Sequence, residues 1–230
     1  MVHLELTIKY CLWLLAILHT TQGGTTFIYQ GEEIGATNVP REWGIEEYKD
    51  VATINFYAEE LQVRTASGVD KPDMSDVMDG INRKARDNAR VPMQWDDSPH
   101  AGFTNGTPWM RVNDNYKHIN AKNQVDDEHS VFSFWKQMIA VRKAHPLLVH
   151  GDFVVLAPED EKIFMYTREH NGKALVVMNF SRDEVTVMLP ESLRTAVKLI
   201  AGNISHESEA KLEAKAVLQP YEGQVWLLGQ

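Results

Sequence analysis

Between about Thr37 and Gln124 the chain carries a long polar stretch that neither helix nor strand periodicity spans. This feature constrains the fold more than any other. One helix fits residues 45–61, with Tyr48, Val51, Ile54 and Phe56 set among acids, and a second fits 75–85 after Pro72. Beyond them Pro92, Pro99, Gly102, Gly106 and Pro108 alternate with Trp95, Phe103 and Trp109. Breakers and large rings mixed in this way predict an ordered irregular loop, not a flexible linker. Loops of that length inside a compact domain tend to carry function.

The flanks indicate what the loop is inserted into. Residues 25–29 (TTFIY) are β-branched and aromatic, a run suited to a strand buried on both faces. Gly31 and Gly35 then bracket Glu32-Glu33-Ile34. Helix, buried strand and glycine-rich loop make one βα step of a parallel sheet or barrel. After the loop, residues 126–145 predict an amphipathic helix with Val131, Phe134, Trp135, Met138, Ile139 and Arg142 on one stripe, Arg142 laying its stem along it. Acids open this helix, basic residues close it and Pro146 stops it. From Gly151 the chain turns to short strand-like runs at 153–156, 163–167, 174–180, 185–189, 197–201 and 225–228. Asn171-Gly172 is the strongest hairpin signal among them. The pattern predicts a small antiparallel sandwich, with residues 1–148 and 149–230 as the two parts.

Charge and cysteine content narrow the partners. A net charge of −9 argues against a nucleic-acid groove or an anionic membrane surface. The single cysteine, Cys11, excludes an internal disulfide and a multi-thiolate zinc site. Residues 9–21 have the parts of a signal peptide, a basic residue and a short apolar core, but they also fit a buried helix ended by Gly23 and Gly24. Glu5 favours the helix, and the run is too short for a membrane span. A cytoplasmic location is the expectation, with secretion left open by this apolar segment. Asn105, Asn179 and Asn203 each open an Asn-X-Ser/Thr pattern that matters only in a secreted chain.

Adjacent carboxylates occur at Glu32-Glu33, Glu46-Glu47, Asp96-Asp97 and Asp126-Asp127. Hydrolysis of a sugar with retention needs two carboxyls facing each other about 5–5.5 Å apart. Sequence neighbours diverge instead, so helix caps and solvated faces are the default reading. Only Glu32-Glu33 follows a barrel-like strand end. The histidines form no ligand spacing, and no GxSxG elbow is present. No metal or cofactor is expected. In ARDNARVPMQWD, Arg86 and Arg90 lie one helical turn apart, with Asp87 and Trp95 placed to orient them. Such a pair suits a polyhydroxylated ligand or a carboxylate, and equally a structural salt bridge.

The segments TTFIYQGEEIGATNVPREWGIEEYKDV, ARDNARVPMQWDDSPHAGFT, TPWMRVNDNY, SVFSFWKQMIAVRKAHPLLVHGDF and VVMNFS resemble, in order and spacing, the maltase and oligo-1,6-glucosidase branch of glycoside hydrolase family 13. The insert DMSDVMDGINRKARDNAR looks most like the fungal maltases. The resemblance runs from about Lys9 to the C-terminus. It implies an α/β part, the last βα portion of a (β/α)8 TIM barrel comprising helix seven, strand eight, a long loop and helix eight. An all-β antiparallel sandwich would follow. It places residues 9–21 on the barrel helix before strand eight, YQGEEIG at the end of that strand and residues 130–145 on helix eight.

In this family the nucleophilic aspartate, the acid/base glutamate and a transition-state aspartate follow barrel strands four, five and seven. All three would lie upstream of Met1, so the resemblance implies no catalytic residue here and a chain inactive alone. Arg86 corresponds to the arginine that holds the non-reducing glucose, and Arg90 to an arginine of the neighbouring subsite. In the family Arg86 pairs with an aspartate from an early barrel loop. Ala52 stands where the family often has a glutamate implicated in aglycone contacts, and Ala36 replaces a frequent methionine. The implied partner is an α-glucoside, maltose- or isomaltose-like, together with a complementary N-terminal barrel chain. A non-catalytic carbohydrate- or protein-binding scaffold from the same family is the alternative.

Overall fold

The computed structural model describes residues 2–193, 196–204 and 214–229. The chain divides into two compact units, residues 28–132 forming one and residues 1–27 with 133–230 the other. The second unit joins the N-terminal helix to the β-rich tail, so its limits cross the 148/149 division read from the sequence.

In that discontinuous unit, helix α1 (Val2–Thr21) covers the apolar run at 9–21 and extends it toward the N-terminus. No helix among the described residues is long and apolar enough to cross a membrane. Seven strands follow: β1 (Asp152–Leu156), β2 (Ile163–Glu169), β3 (Lys173–Asn179), β4 (Val185–Met188), β5 (Ala196–Gly202), β6 (Lys215–Leu218) and β7 (Gly223–Leu228). Five form an antiparallel sheet in the order β1-β2-β3-β7-β5, and β4 pairs with β6. Inward residues of both sheets, including Met165, Leu175, Val177, Val187, Leu218 and Trp226, share one core. Two sheets closing on one apolar layer make a sandwich. Asn171 (φ 50°) and Gly172 (φ 148°) turn the β2–β3 hairpin, where backbone φ must be positive. Strand β6 escaped the sequence reading because it is short and only Leu218 is buried in it.

Helix α1 meets this sandwich closely. A Cβ on Gly223 would lie 2.6 Å from Leu14 Cδ1 and 3.1 Å from Ile17 Cδ1, so a larger residue there would force these helix side chains to shift. Two arginines anchor its C-terminal end. Arg142 donates to the carbonyls of Thr20, Gln22, Gly24 and Leu148 at 2.6–2.8 Å. Arg168 donates to Thr21 O at 2.9 Å and Gly151 O at 2.8 Å. Cations at a helix C-terminus complement its dipole and its unpaired carbonyls. The stripe position of Arg142 thus marks a buried clamp, where the sequence suggested a stem lying along the stripe.

Residues 25–29 correct an expectation. They join no ladder among the described residues, and Phe27 is 78% exposed. A strand buried on both faces needs a hydrogen-bonded neighbour on each side, and the described ladders all lie within the β-rich tail.

In the unit spanning 28–132, helix α2 (Val51–Ala66) starts later than the sequence pattern suggested, because residues 45–47 form a separate 3-10 turn and Asp50 caps the helix. Helix α3 (Ser75–Lys84) agrees closely with the 75–85 expectation. Both belong with a small core of Val39, Trp43, Tyr48, Met74, Val77, Ile81, Val91 and Met110. Around it the irregular loop is ordered mainly by amide side chains bonding to backbone. Asn82 Nδ2 donates to Val39 O, Asn88 Nδ2 to Asn82 O, and Asn113 Nδ2 to Thr37 O and Asn38 O. Helix α4 (Ala121–Val125) closes the loop, and Gln124 reaches back to Ile34 O at 2.8 Å.

Helices α5 (Val131–Ala144) and α6 (Pro146–His150) divide at Pro146 as expected. The acids at 126–128 precede α5 and do not form its first turn. Asp127 instead accepts from His129 N, folding the entry into a tight turn.

Candidate active-site arginine cluster

Arg86 opens a 3-10 turn, Arg86–Ala89, and Arg90 follows it. Both guanidiniums converge on one carboxylate, Asp50. Arg86 Nη2 lies 3.1 Å and Arg90 Nη1 3.0 Å from Asp50 Oδ1. Asp50 is also the N-cap of α2, accepting from Thr53 N at 3.3 Å. Burial would raise its pKa. The Thr53 amide and the two guanidiniums outweigh burial and hold the carboxyl below the ordinary carboxylate range.

Asp87 acts one step further back. It is fully buried, and its Oδ1 accepts from Lys49 N at 2.9 Å and Asp50 N at 3.1 Å. Its carboxylate therefore fixes the backbone that presents Asp50 and bonds neither guanidinium, while its carbonyl accepts from Arg90 N at 2.9 Å. The Asp50 side chain is 8% exposed against 63% for Arg86 and 41% for Arg90. The anion is thus sunk, and two forks of N–H donors are held open above it. Such an array meets an acceptor-rich ligand with little rotamer freedom left to lose.

The sequence singled out both arginines but missed Asp50 as their shared partner. The available signal was an acid three residues before Thr53 at the start of an apolar-periodic run. Trp95, suggested as an orienting ring, is half exposed and makes no hydrogen bond or ring contact with either arginine among the described residues.

The adjacent carboxylates resolve into local structure. Glu33 accepts from Gly31 N at 2.7 Å and Glu32 from Tyr29 N at 3.2 Å. Glu47 pairs with Arg111, whose guanidinium also lies 4.7 Å from the Trp43 ring centre. Asp96 caps Ser98, and Asp97 meets Lys122 at 3.4 Å. Of the buried acids described, Asp50 and Asp87 are engaged as above, and Glu222 accepts from Gln219 N at 2.7 Å. No cluster of three or more His, Cys, Asp or Glu side chains placed to hold a metal occurs among the described residues.

A long ordered loop bearing a buttressed arginine pair is followed along the chain by an antiparallel sandwich. Residues 5–151 match the α-amylase catalytic domain and residues 153–225 the maltogenic amylase C-terminal domain. The chain belongs to the α-amylase family, glycoside hydrolase family 13. It is 40% identical over 217 residues to an α-glucosidase of Candida albicans, covering 93% of this chain and 37% of that protein. It is 42% identical over 217 residues to an oligo-1,6-glucosidase of Bacillus cereus, covering 94% and 37%. Among solved structures, isomaltulose synthase SmuA from Protaminobacter rubrum superposes with a TM-score of 0.86 at 35% identity, covering 96% of this chain and 38% of that one. The chain thus spans little more than a third of the length of the relatives it matches, and what it matches is their C-terminal portion.

Proposed function

We propose that this chain is the C-terminal part of an enzyme hydrolysing terminal α-glucosidic bonds, in which Arg86 and Arg90 contact the substrate. The observation that carries the reading is the convergence of both guanidiniums on the buried Asp50 carboxylate, in a chain of this family. Arg86 takes the terminal glucose, and Arg90 meets the neighbouring part of the substrate. The parent reaction is retaining hydrolysis through a covalent glucosyl–carboxylate. The buried carboxylates described here are engaged by backbone amides, a helix cap and the two arginines, which supports a second element of the proposal: the 230 residues alone have no turnover. Nucleophile and acid/base each supply orders of magnitude, so their joint loss leaves background rates.

A complementary N-terminal barrel portion restores activity in this reading. The ladderless, exposed Phe27, Ile28 and Tyr29 and the absence of buried residues in α2 support that need. A cytoplasmic location belongs to the same proposal. Asn179 and Asn203 are buried and hydrogen-bonded, so glycans on them are incompatible with this fold, whereas Ser205 of the Asn203 pattern lies outside the described residues.

The test is hydrolysis of nitrophenyl α-glucoside by the purified chain, alone and co-expressed with the N-terminal portion of the Candida relative. Activity only in the pair, abolished by Arg86→Ala, is expected. Turnover by the chain alone that survives re-purification and Arg86→Ala overturns the proposal.

A further inference from the structure

Beside the clamp on helix α1, α6 meets the β2–β3 hairpin. Gly151, which directly follows α6, is pressed against β2. A Cβ there would lie 2.9 Å from Glu169 N, and its carbonyl accepts from Arg168 Nη2 at 2.8 Å. On the hairpin side, His170 N donates to Gly172 O at 2.9 Å and closes the turn. The backbones of His150, the last residue of α6, and of His170 are therefore both held in place. Their imidazoles are exposed, with ring centres 6.0 Å apart and planes inclined at 60°. Positions 150 and 170 form no ligand spacing along the chain, and only the fold brings them together.

The pairing has no evident structural purpose. Neither imidazole makes a side-chain hydrogen bond or ion pair among the described residues, and an exposed ring contact at this distance buries little. Two like rings side by side would also repel when protonated. A metal ion reverses that balance, because each neutral imidazole offers it a nitrogen lone pair. Metal–nitrogen bonds of about 2.0–2.1 Å at the tetrahedral angle set two ring centres about 5 Å apart. Small rotations of two exposed side chains close the observed 6.0 Å to that spacing.

We propose that His150 and His170 form a two-imidazole site for a divalent transition ion of the zinc, nickel and copper group. Glu169, next to His170, is paired with Lys173 at 3.1 Å, so water fills the remaining positions. Closed structural sites take four protein ligands, so an ion with two is exchangeable and is no resident cofactor. Its effect is to tie α6 to the hairpin, at the junction where Arg142 and Arg168 already bond the carbonyls of Leu148 and Gly151.

The experiment titrates the full chain with Zn²⁺ by calorimetry and with Ni²⁺ by NMR, where the paramagnetic ion broadens nearby amides. The tightest zinc is expected to bind one per chain and to raise Tm. Nickel broadening should centre on residues 149–151 and 169–172. His150→Gln and His170→Gln should each weaken zinc binding about tenfold or more and abolish the rise in Tm. His129→Gln, at an exposed histidine elsewhere, should change neither. Both site positions are exposed, so the variants should match the native chain in Tm without metal. No binding at millimolar zinc overturns the proposal. So does full-strength binding in either site variant, or broadening centred on other residues.

Discussion

Replacing Arg142 with methionine keeps most of the side chain's bulk and removes the guanidinium. The native group makes four bonds of 2.6–2.8 Å to carbonyl oxygens, three of them at or just beyond the end of α1. A bond from a charged donor contributes about 1.5–3 kcal/mol, so the gross loss is large. Part of it is offset, because burial lowers the pKa of this arginine and its desolvation cost of several kcal/mol disappears with it. The net destabilisation should be about 3–5 kcal/mol, the range for breaking a buried charged network. The midpoint of thermal unfolding followed by circular dichroism should therefore fall by about 6–20 °C for a chain of this size. Amide exchange should rise first in the last turn of α1. Arg142→Lys should recover only part, since an ammonium has three donors for four carbonyls. A loss under about 1 kcal/mol, or exchange that rises evenly over the unit, would refute the clamp as argued.

Tyr166 is buried, bonds Thr21 Oγ1 at 2.5 Å and has its pKa pushed up to about 12, burial being the main cause. A raised folded pKa means that the native state holds its proton longer, so stability present below pH 10 is lost as pH rises from about 10 to 12. The loss is about 2–3 kcal/mol, and Tyr166→Phe should flatten that arm in alkaline denaturation curves. Asp50 has the opposite sense: with a lowered pKa, its contribution is present above the ordinary carboxylate range and is lost on acidification through the folded value. Carboxyl-carbon NMR should show Asp50 ionised at a pH where exposed aspartates are protonated, with Arg86 and Arg90 resonances changing only when Asp50 titrates. Asp87→Asn should loosen the Lys49–Asp50 backbone and cost about 1–3 kcal/mol, because the amide oxygen can keep both bonds made by Oδ1 but the amide nitrogen replaces the Oδ2 that Asp50 N also meets. Weakened glucoside binding with Arg86 and Arg90 still present is the expected readout.

The sandwich was largely legible because its signals are local. Period-two alternation, a short Asn-Gly turn and strands of ordinary length specify their own pairing. Residues 25–29 misled for the complementary reason. A β-branched apolar run reports a preference for a pleated, buried setting, and whether neighbours exist to provide one is not written in the run itself. The arginine pair was visible as a four-residue spacing, yet Asp50 was not, since nothing in the order of residues ties position 50 to positions 86 and 90. Asp87 was visible but placed one contact too near. Its carboxylate serves two backbone amides, a task indistinguishable in sequence from bonding an adjacent arginine.

The two units also differ in what holds them. The sandwich rests on an apolar layer whose members, such as Leu175, Val177 and Leu218, are fully buried. The 28–132 unit has a smaller core and relies on asparagine and glutamine side chains that satisfy loop carbonyls. Apolar burial tolerates small shifts because it is non-directional, whereas a network of amide bonds fixes geometry closely and fails as a group when one member is removed. The arginine cluster sits on the second kind of support: Asn88, within the Arg86–Ala89 turn, bonds Val39 N and Asn82 O. The glucose contact proposed for these arginines would demand donors at fixed positions more than a deep apolar wall, and the polar network supplies that fixity. Placing the arginines on it accounts for a site that is ordered without being deeply buried, and it ties their geometry to Asp87 and Asn88 as closely as to Asp50.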